Sequence, residues 1–151
     1  MVSVANWARE GIMIEDKGLK FYQDCLAKAQ QQESRLLFLF LIAEETKHRE
    51  ALQKVLDSEH AEEAMGQFTS SAKALFDKAA LKDMAPEGSA LSQMLNTAME
   101  LEQQSHDFYT AEAADGPAKE FLLRLAKEEL DHLELIRSFG FNLVGIGIPL
   151  R

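Results

Sequence analysis

One cysteine, three prolines and eight glycines are spread over 151 residues, and each scarcity removes a class of structure. A lone thiol, Cys25, can build neither an intramolecular disulfide framework nor a four-thiolate iron or zinc centre. Its plainest reading is a small residue packed on a helix. Few prolines and glycines, most of them where a helix would stop, leave long uninterrupted segments. Positive charge is short as well. Sixteen Lys and Arg against 25 Asp and Glu give a net charge of −9, with no basic stripe to meet a nucleic-acid backbone. An acidic exterior attracts cations, but solubility alone accounts for it. The longest apolar run, Leu36 to Ala43, is far too short to span a bilayer. The opening MVSVANWAREG lacks the apolar stretch of a secretory signal. A soluble, cytoplasmic protein that binds neither nucleic acid nor membrane is expected.

What remains is helix-forming. Apolar residues at 46% and charged residues at 27% place the chain among globular proteins rather than disordered ones. Ala, Leu, Glu, Lys and Gln dominate, and all favour helix. Four amphipathic segments follow. The first covers residues 3–29, with Ile12, Leu19, Tyr22 and Leu26 on one stripe. The second covers 33–58, through Leu37, Leu41, Leu52 and Val55. The third covers 89–114, with Leu91, Leu95, Ala98 and Tyr109 in register. The fourth opens at Pro117, suited to a first helical turn, and runs to about residue 139, where Gly140 supplies a stop.

The connections are unequal. Tight turns join the first segment to the second and the third to the fourth, so each pair forms an antiparallel hairpin. About thirty residues separate the hairpins, with a short helix expected around 71–81 and a turn at Pro86-Glu87-Gly88. Two hairpins joined by one long crossover give an all-α, ferritin-like four-helix bundle over residues 1–140. An apolar tail follows over 141–151.

The chain also repeats itself. Its first half reads Glu15, Tyr22, Glu45-x-x-His48, and its second reads Glu102, Tyr109, Glu129-x-x-His132. Each tyrosine stands seven residues after its glutamate, and there are no other tyrosines. Such duplication is the strongest signal in the sequence. In every segment a glutamate occupies a position that the apolar period assigns to the core. At about 1.5 Å per residue, the two glutamates of each hairpin lie at one height above its turn. The common height of the two hairpins depends on the crossover.

Four carboxylates in one core layer repel one another and lose hydration. They are tolerated if protonated, if partly hydrated, or if two divalent cations match their four charges. Glu and His at i and i+3 share a helix face, so both can reach one metal. A glutamate from each of two helices and Glu-x-x-His from each of the others is the ligand set of di-iron and di-manganese bundles.

The stretches IEDKGLKFY and AEETKH in the first half, with LEQQSHDFY and KEELDH in the second, resemble the rubrerythrin branch of the ferritin-like superfamily along nearly the whole chain. The resemblance implies two iron ions, with manganese or mixed metals also compatible. Glu15 and Glu102 would be terminal ligands, Glu45 and Glu129 would bridge, and His48 and His132 would each cap one metal. Tyr22 and Tyr109 would donate hydrogen bonds to carboxylates. Reaction with hydrogen peroxide or dioxygen, as a peroxidase or ferroxidase active in oxidative stress, is the activity implied. The alternatives are a non-catalytic iron-binding or delivery protein and a structural bundle with hydrated glutamates.

Two departures stand out. No four-cysteine rubredoxin domain is present, so a separate rubredoxin-like electron donor is implied. Rubrerythrins also carry a further glutamate one turn beyond the first on the third helix, and here that position is Ser105. This puts the associated ligand exchange in doubt. A homodimer, helix-swapped or not, is in keeping with the superfamily. Glu44 and Glu128 read as solvated or as outer partners of the ligands, His106 as a surface or packing residue, and His60 as part of a solvated helix end. The tail FNLVGIGIPL reads as a segment packed on the bundle or across a dimer, and is also similar to tails that dock cargo inside encapsulin shells.

Overall fold

Ser3 opens the first helix with extended backbone, its Oγ accepting the Asn6 N–H at 3.2 Å. That helix, α1 (Val4–Lys28), gives way to α2 (Gln32–Asp57) across residues 29–31 alone. Arg35 Nη1 donates to the carbonyls of Leu26 at 2.9 Å and Ala29 at 3.4 Å. Carbonyls that the end of α1 would leave unpaired are thereby satisfied, and the turn is held. The computed structural model describes residues 3–68, 89–114, 116 and 118–144. Within them follow α3 (Ala61–Gly66), α4 (Ser89–Glu112) and α5 (Lys119–Val144). Gly116, in the turn between α4 and α5, has φ +148°, a conformation that only glycine adopts without strain.

The helix α3 is absent from the sequence reading. The acidic stretch around His60 is itself a short helix, with Glu62 and Glu63 in a first turn that favours negative charge. The helix expected at 71–81, the turn at 86–88, Pro117 and the tail from 145 onward lie outside the described residues.

One boundary needs correction. Gly140 does not end the last helix, which continues to Val144, so the division at 140 and 141 falls inside α5. A glycine in a helix interior costs about 1 kcal/mol relative to alanine. It terminates a helix only where the backbone turns left-handed, and among the described glycines only Gly116 has positive φ.

Helices α1 and α2 pack along each other, as do α4 and α5, and the hairpins meet where α1 faces α4. Among the described residues there is no strand, and the architecture is an all-α ferritin-like bundle. The core divides in two. One cluster gathers Leu37, Phe38, Leu41, Leu95, Ile136 and Phe139; the other gathers Trp7, Leu52, Val55, Phe121, Leu122 and Leu125. No described helix is long and apolar enough to cross a membrane.

On α1 the buried stripe runs through Ala8, Ile12, Glu15, Gly18, Tyr22 and Cys25, while Leu19 and Leu26 are only partly buried. Gly11 sits at a close approach between helices. A Cβ on Gly11 would lie 3.0 Å from Leu52 Cδ1 and 3.4 Å from Tyr109 Cε1, whereas one on Gly18 would meet nothing within 4 Å. The substitution Gly18→Ala should therefore stabilise the protein by about 0.5–1 kcal/mol. Gly11→Ala should gain less or lose stability outright. Urea unfolding of the two variants beside the parent checks the ordering, and an equal gain in both would contradict the close packing at Gly11.

Candidate metal centre

Helical periodicity puts Glu15, Glu45, Glu102 and Glu129 on buried stripes, each flanked by the apolar residues that draw its helix inward. Their side chains are almost wholly excluded from solvent, at 0%, 3%, 2% and 0% exposure. His48 and His132, one turn after Glu45 and Glu129, are buried with them. The tyrosines fix how the hairpins meet. Tyr22 Oη donates to Glu102 Oε1 at 2.7 Å, and Tyr109 Oη donates to Glu15 Oε1 at 2.6 Å. Each phenol thus reaches the glutamate of the other half, which requires α1 and α4 to run antiparallel.

The imidazoles cross between α2 and α5 in the same way. His48 Nδ1 lies 2.6 Å from Glu129 Oε1 and 3.5 Å from Glu15 Oε1. His132 Nδ1 lies 3.4 Å from Glu45 Oε1 and 3.6 Å from Glu102 Oε2. The two rings stack with centroids 5.6 Å apart. In both histidines Nδ1 faces the carboxylates and Nε2 faces outward. His48 Nε2 meets Glu128 Oε2 at 3.2 Å, and His132 Nε2 lies 3.8 Å from Glu44 Oε1. Glu44 and Glu128 are therefore buried partners of the imidazoles rather than a solvated face. The signal for this was the doubled glutamate, Glu44-Glu45 and Glu128-Glu129, repeated in both halves.

Two groups of side chains result, each with its ligand atoms within 4.8 Å of one another: Glu15, Glu45, His48 and Glu129, and Glu45, Glu102, Glu129 and His132. Glu45 and Glu129 belong to both. Other candidates stay apart. His106 is paired with the exposed Asp107, and His60 precedes α3. Ser105 is buried but turns its hydroxyl back to the Leu101 carbonyl at 2.9 Å. Cys25 packs in the core, where burial pushes its thiol up to about 12. Sequence reasoning missed the aromatic walls, Phe68 against His48 and Phe40 against His132.

The electrostatics follow from burial and crowding. Burial raises the Glu45 and Glu129 carboxyls well above the usual range, and the charge of Glu102 adds to it. For Glu102 burial also disfavours charge, but a hydrogen bond from Glu129 and the charge of His132 bring it down to about 2. Burial opposes charge on both imidazoles as well. The carboxylates facing them prevail and hold both well above the ordinary 6.5. The tyrosine hydroxyls are raised by burial and then by Glu102 or Glu15, so they stay protonated and donate. Protons alone would have to balance this layer.

They do so incompletely. Apart from protons shared between carboxyls, such as that between Glu129 and Glu102, one oxygen of each glutamate (Glu15 Oε2, Glu45 Oε1, Glu102 Oε2 and Glu129 Oε2) is buried without a hydrogen-bond partner, as is His132 Nδ1. Carboxylate oxygens from four helices, gathered beside two imidazole nitrogens, fit a pair of divalent cations.

A helical bundle with carboxylates and histidines at its centre defines a ferritin-like protein with the makings of a two-metal site. The chain belongs to the rubrerythrin family, whose model, described as Rubrerythrin, matches residues 9–139. Comparison with curated proteins and with solved structures gives no significant match.

The shifts set a pH dependence. Folded Glu45 and Glu129 keep protons that the unfolded chain releases above 4.5, and the histidines do the same above 6.5. The folded state then holds more protons, so this layer's contribution falls as pH rises. Glu102 works the other way, and its contribution is lost below 4.5 toward about 2. Chelated protein should thus be most stable near the ordinary carboxylate value and weaken as pH rises above it through neutrality. Thermal unfolding across that range measures it, and a rise in stability toward neutral pH would contradict the assignment.

Proposed function

We propose that this protein is a di-iron oxidoreductase that reacts with hydrogen peroxide or dioxygen. The observation that carries the reading is the sharing of Glu45 and Glu129 between two carboxylate–histidine groups, with an unpaired buried oxygen on every glutamate. In this reading Glu15 and His48 would hold one metal, Glu102 and His132 would hold the other, and Glu45 and Glu129 would be shared between the two groups. Carboxylates and imidazole suit iron or manganese better than a soft thiophilic ion. When bound, a metal pair would supply the two electrons that reduce the peroxide or dioxygen.

The chain's own groups do the rest. Tyr22 and Tyr109 orient the terminal carboxylates by donating to one oxygen of each, leaving the other oxygen toward the metals. Glu128 and Glu44 do the same for the imidazoles from the outside, favouring the tautomer whose Nδ1 is free to ligate. The two apolar clusters on either side exclude bulk water from the layer. Glu44 and Glu128, at 7% and 6% exposure, lie between the imidazoles and the surface, where they can pass protons outward. Electrons for sustained turnover come from a separate donor protein of the rubredoxin type.

Ser105 favours a second reading. A serine here offers no carboxylate, and its hydroxyl is committed to a helix carbonyl rather than to the centre. Iron would then be bound, oxidised once and held or handed on, with assembly as a homodimer or inside an encapsulin shell as the setting.

Protein purified without chelators should carry about two irons per chain, a stoichiometry set by the two ligand groups. Glu45→Ala with Glu129→Ala should carry none. Peroxide or dioxygen consumption under an excess of reductant separates the readings. Sustained turnover supports the oxidoreductase, a single oxidation followed by arrest supports the iron carrier, and iron retained equally by the double variant would contradict both.

A further inference from the structure

A line of aromatic rings runs from the centre to the end of the bundle. His48 meets Phe68 with ring centroids 6.0 Å apart, Phe68 meets Phe121 at 5.6 Å, and Phe121 meets Trp7 at 6.0 Å. All four rings are buried, and Trp7 is the one tryptophan of the chain. Trp7 also lines a cavity of about 850 Å³ at the end of the bundle, with Glu59, Glu62, Glu63 and Glu112 among its walls. The duplication does not extend to this feature. Trp7 stands eight residues before Glu15, and eight residues before Glu102 stands Met94. His132 has Phe40 beside it, itself only partly buried.

Indole is among the most easily oxidised side chains, and tunnelling through tightly packed rings falls off with distance more slowly than through gaps. A cationic indole would face carboxylates at the cavity wall, which favour positive charge. The tyrosines are closer to the centre but poorly placed to give an electron away. Each would pass its proton to the ligand carboxylate that it orients, neutralising a charge that the metals need.

We propose that Trp7 is the protein's sacrificial electron donor, delivering an electron to the centre through Phe121, Phe68 and His48 when the centre is only half supplied with ferrous iron. The inference rests on the di-iron reading. Reduction of hydrogen peroxide to two waters takes two electrons and two protons, the protons being drawn from solvent. With two ferrous ions at the centre both electrons are at hand. With one ferrous ion, a single electron comes from that ion as it becomes ferric, and Trp7 supplies the second. The indole is left as a cation radical and both oxygens leave as water, so no hydroxyl radical is released among the ligands.

The test loads the full chain anaerobically with one or two equivalents of ferrous iron, confirms retention by dialysis, and adds one equivalent of hydrogen peroxide. Peptide mass mapping and freeze-quench electron paramagnetic resonance are then applied. At one equivalent, oxidation should concentrate on Trp7 with an indole radical signal, and at two equivalents both should drop several-fold. In Trp7→Phe the radical signal should vanish and oxidation should move to the ligand-bearing peptides. In Phe121→Leu, which keeps the indole but breaks the line of rings, Trp7 oxidation should fall several-fold. Iron retained with Trp7 unmodified, or oxidation centred on Tyr22 and Tyr109, would overturn this inference and leave the di-iron reading standing. Failure to retain iron would remove that reading and this inference with it.

Discussion

Four glutamates share one buried layer, and the rest of the bundle is arranged around the repulsion this creates. Each carboxylate moved out of water loses hydration worth several kcal/mol, and neighbours of the same sign raise the penalty further. Two imidazoles, two phenols and two outer carboxylates surround the layer, so that nearly every polar atom has a partner except the oxygens turned toward the centre. What those oxygens lack is positive charge. A metal pair supplies it, and binding would displace the protons that otherwise hold the layer together.

The two apolar clusters make this arrangement possible. They lie on either side of the polar layer and carry the hydrophobic burial that the layer itself cannot contribute. Short turns force each hairpin to be antiparallel, and the phenol-to-glutamate bonds cross from one hairpin to the other. Duplication thereby becomes a two-fold arrangement in which each half completes the site of the other. The same duplication explains why both histidines present Nδ1 inward, and the lack of a second tryptophan marks where the halves part company.

Much of this was legible in the sequence, for physical reasons that also show where legibility stops. Glu15, Glu45, Glu102 and Glu129 stood out because a charge at a core position breaks the apolar period. Equal heights within a hairpin followed from helical rise and a short turn. The relation between hairpins was not legible, because a connection of about thirty residues leaves their register free. Helix α3 is six residues long, too short for a periodic signal. Gly140 misled because glycine ends a helix through its backbone conformation, which the residue type alone does not fix. Which imidazole each outer glutamate meets, and the line from His48 to Trp7, depend on residues from different helices and are properties of packing alone.

The most direct measurement of the central claim compares the stability of the parent with that of Glu45→Gln, Glu129→Gln, each with and without ferrous iron, by anaerobic thermal unfolding. Without metal the variant should be the more stable, since it lacks two buried carboxyls that must be kept neutral. With metal the order should reverse, the parent gaining stability and the variant little. If iron leaves the parent unchanged, and the variant is the less stable under both conditions, the glutamates are structural and the layer is not a metal site.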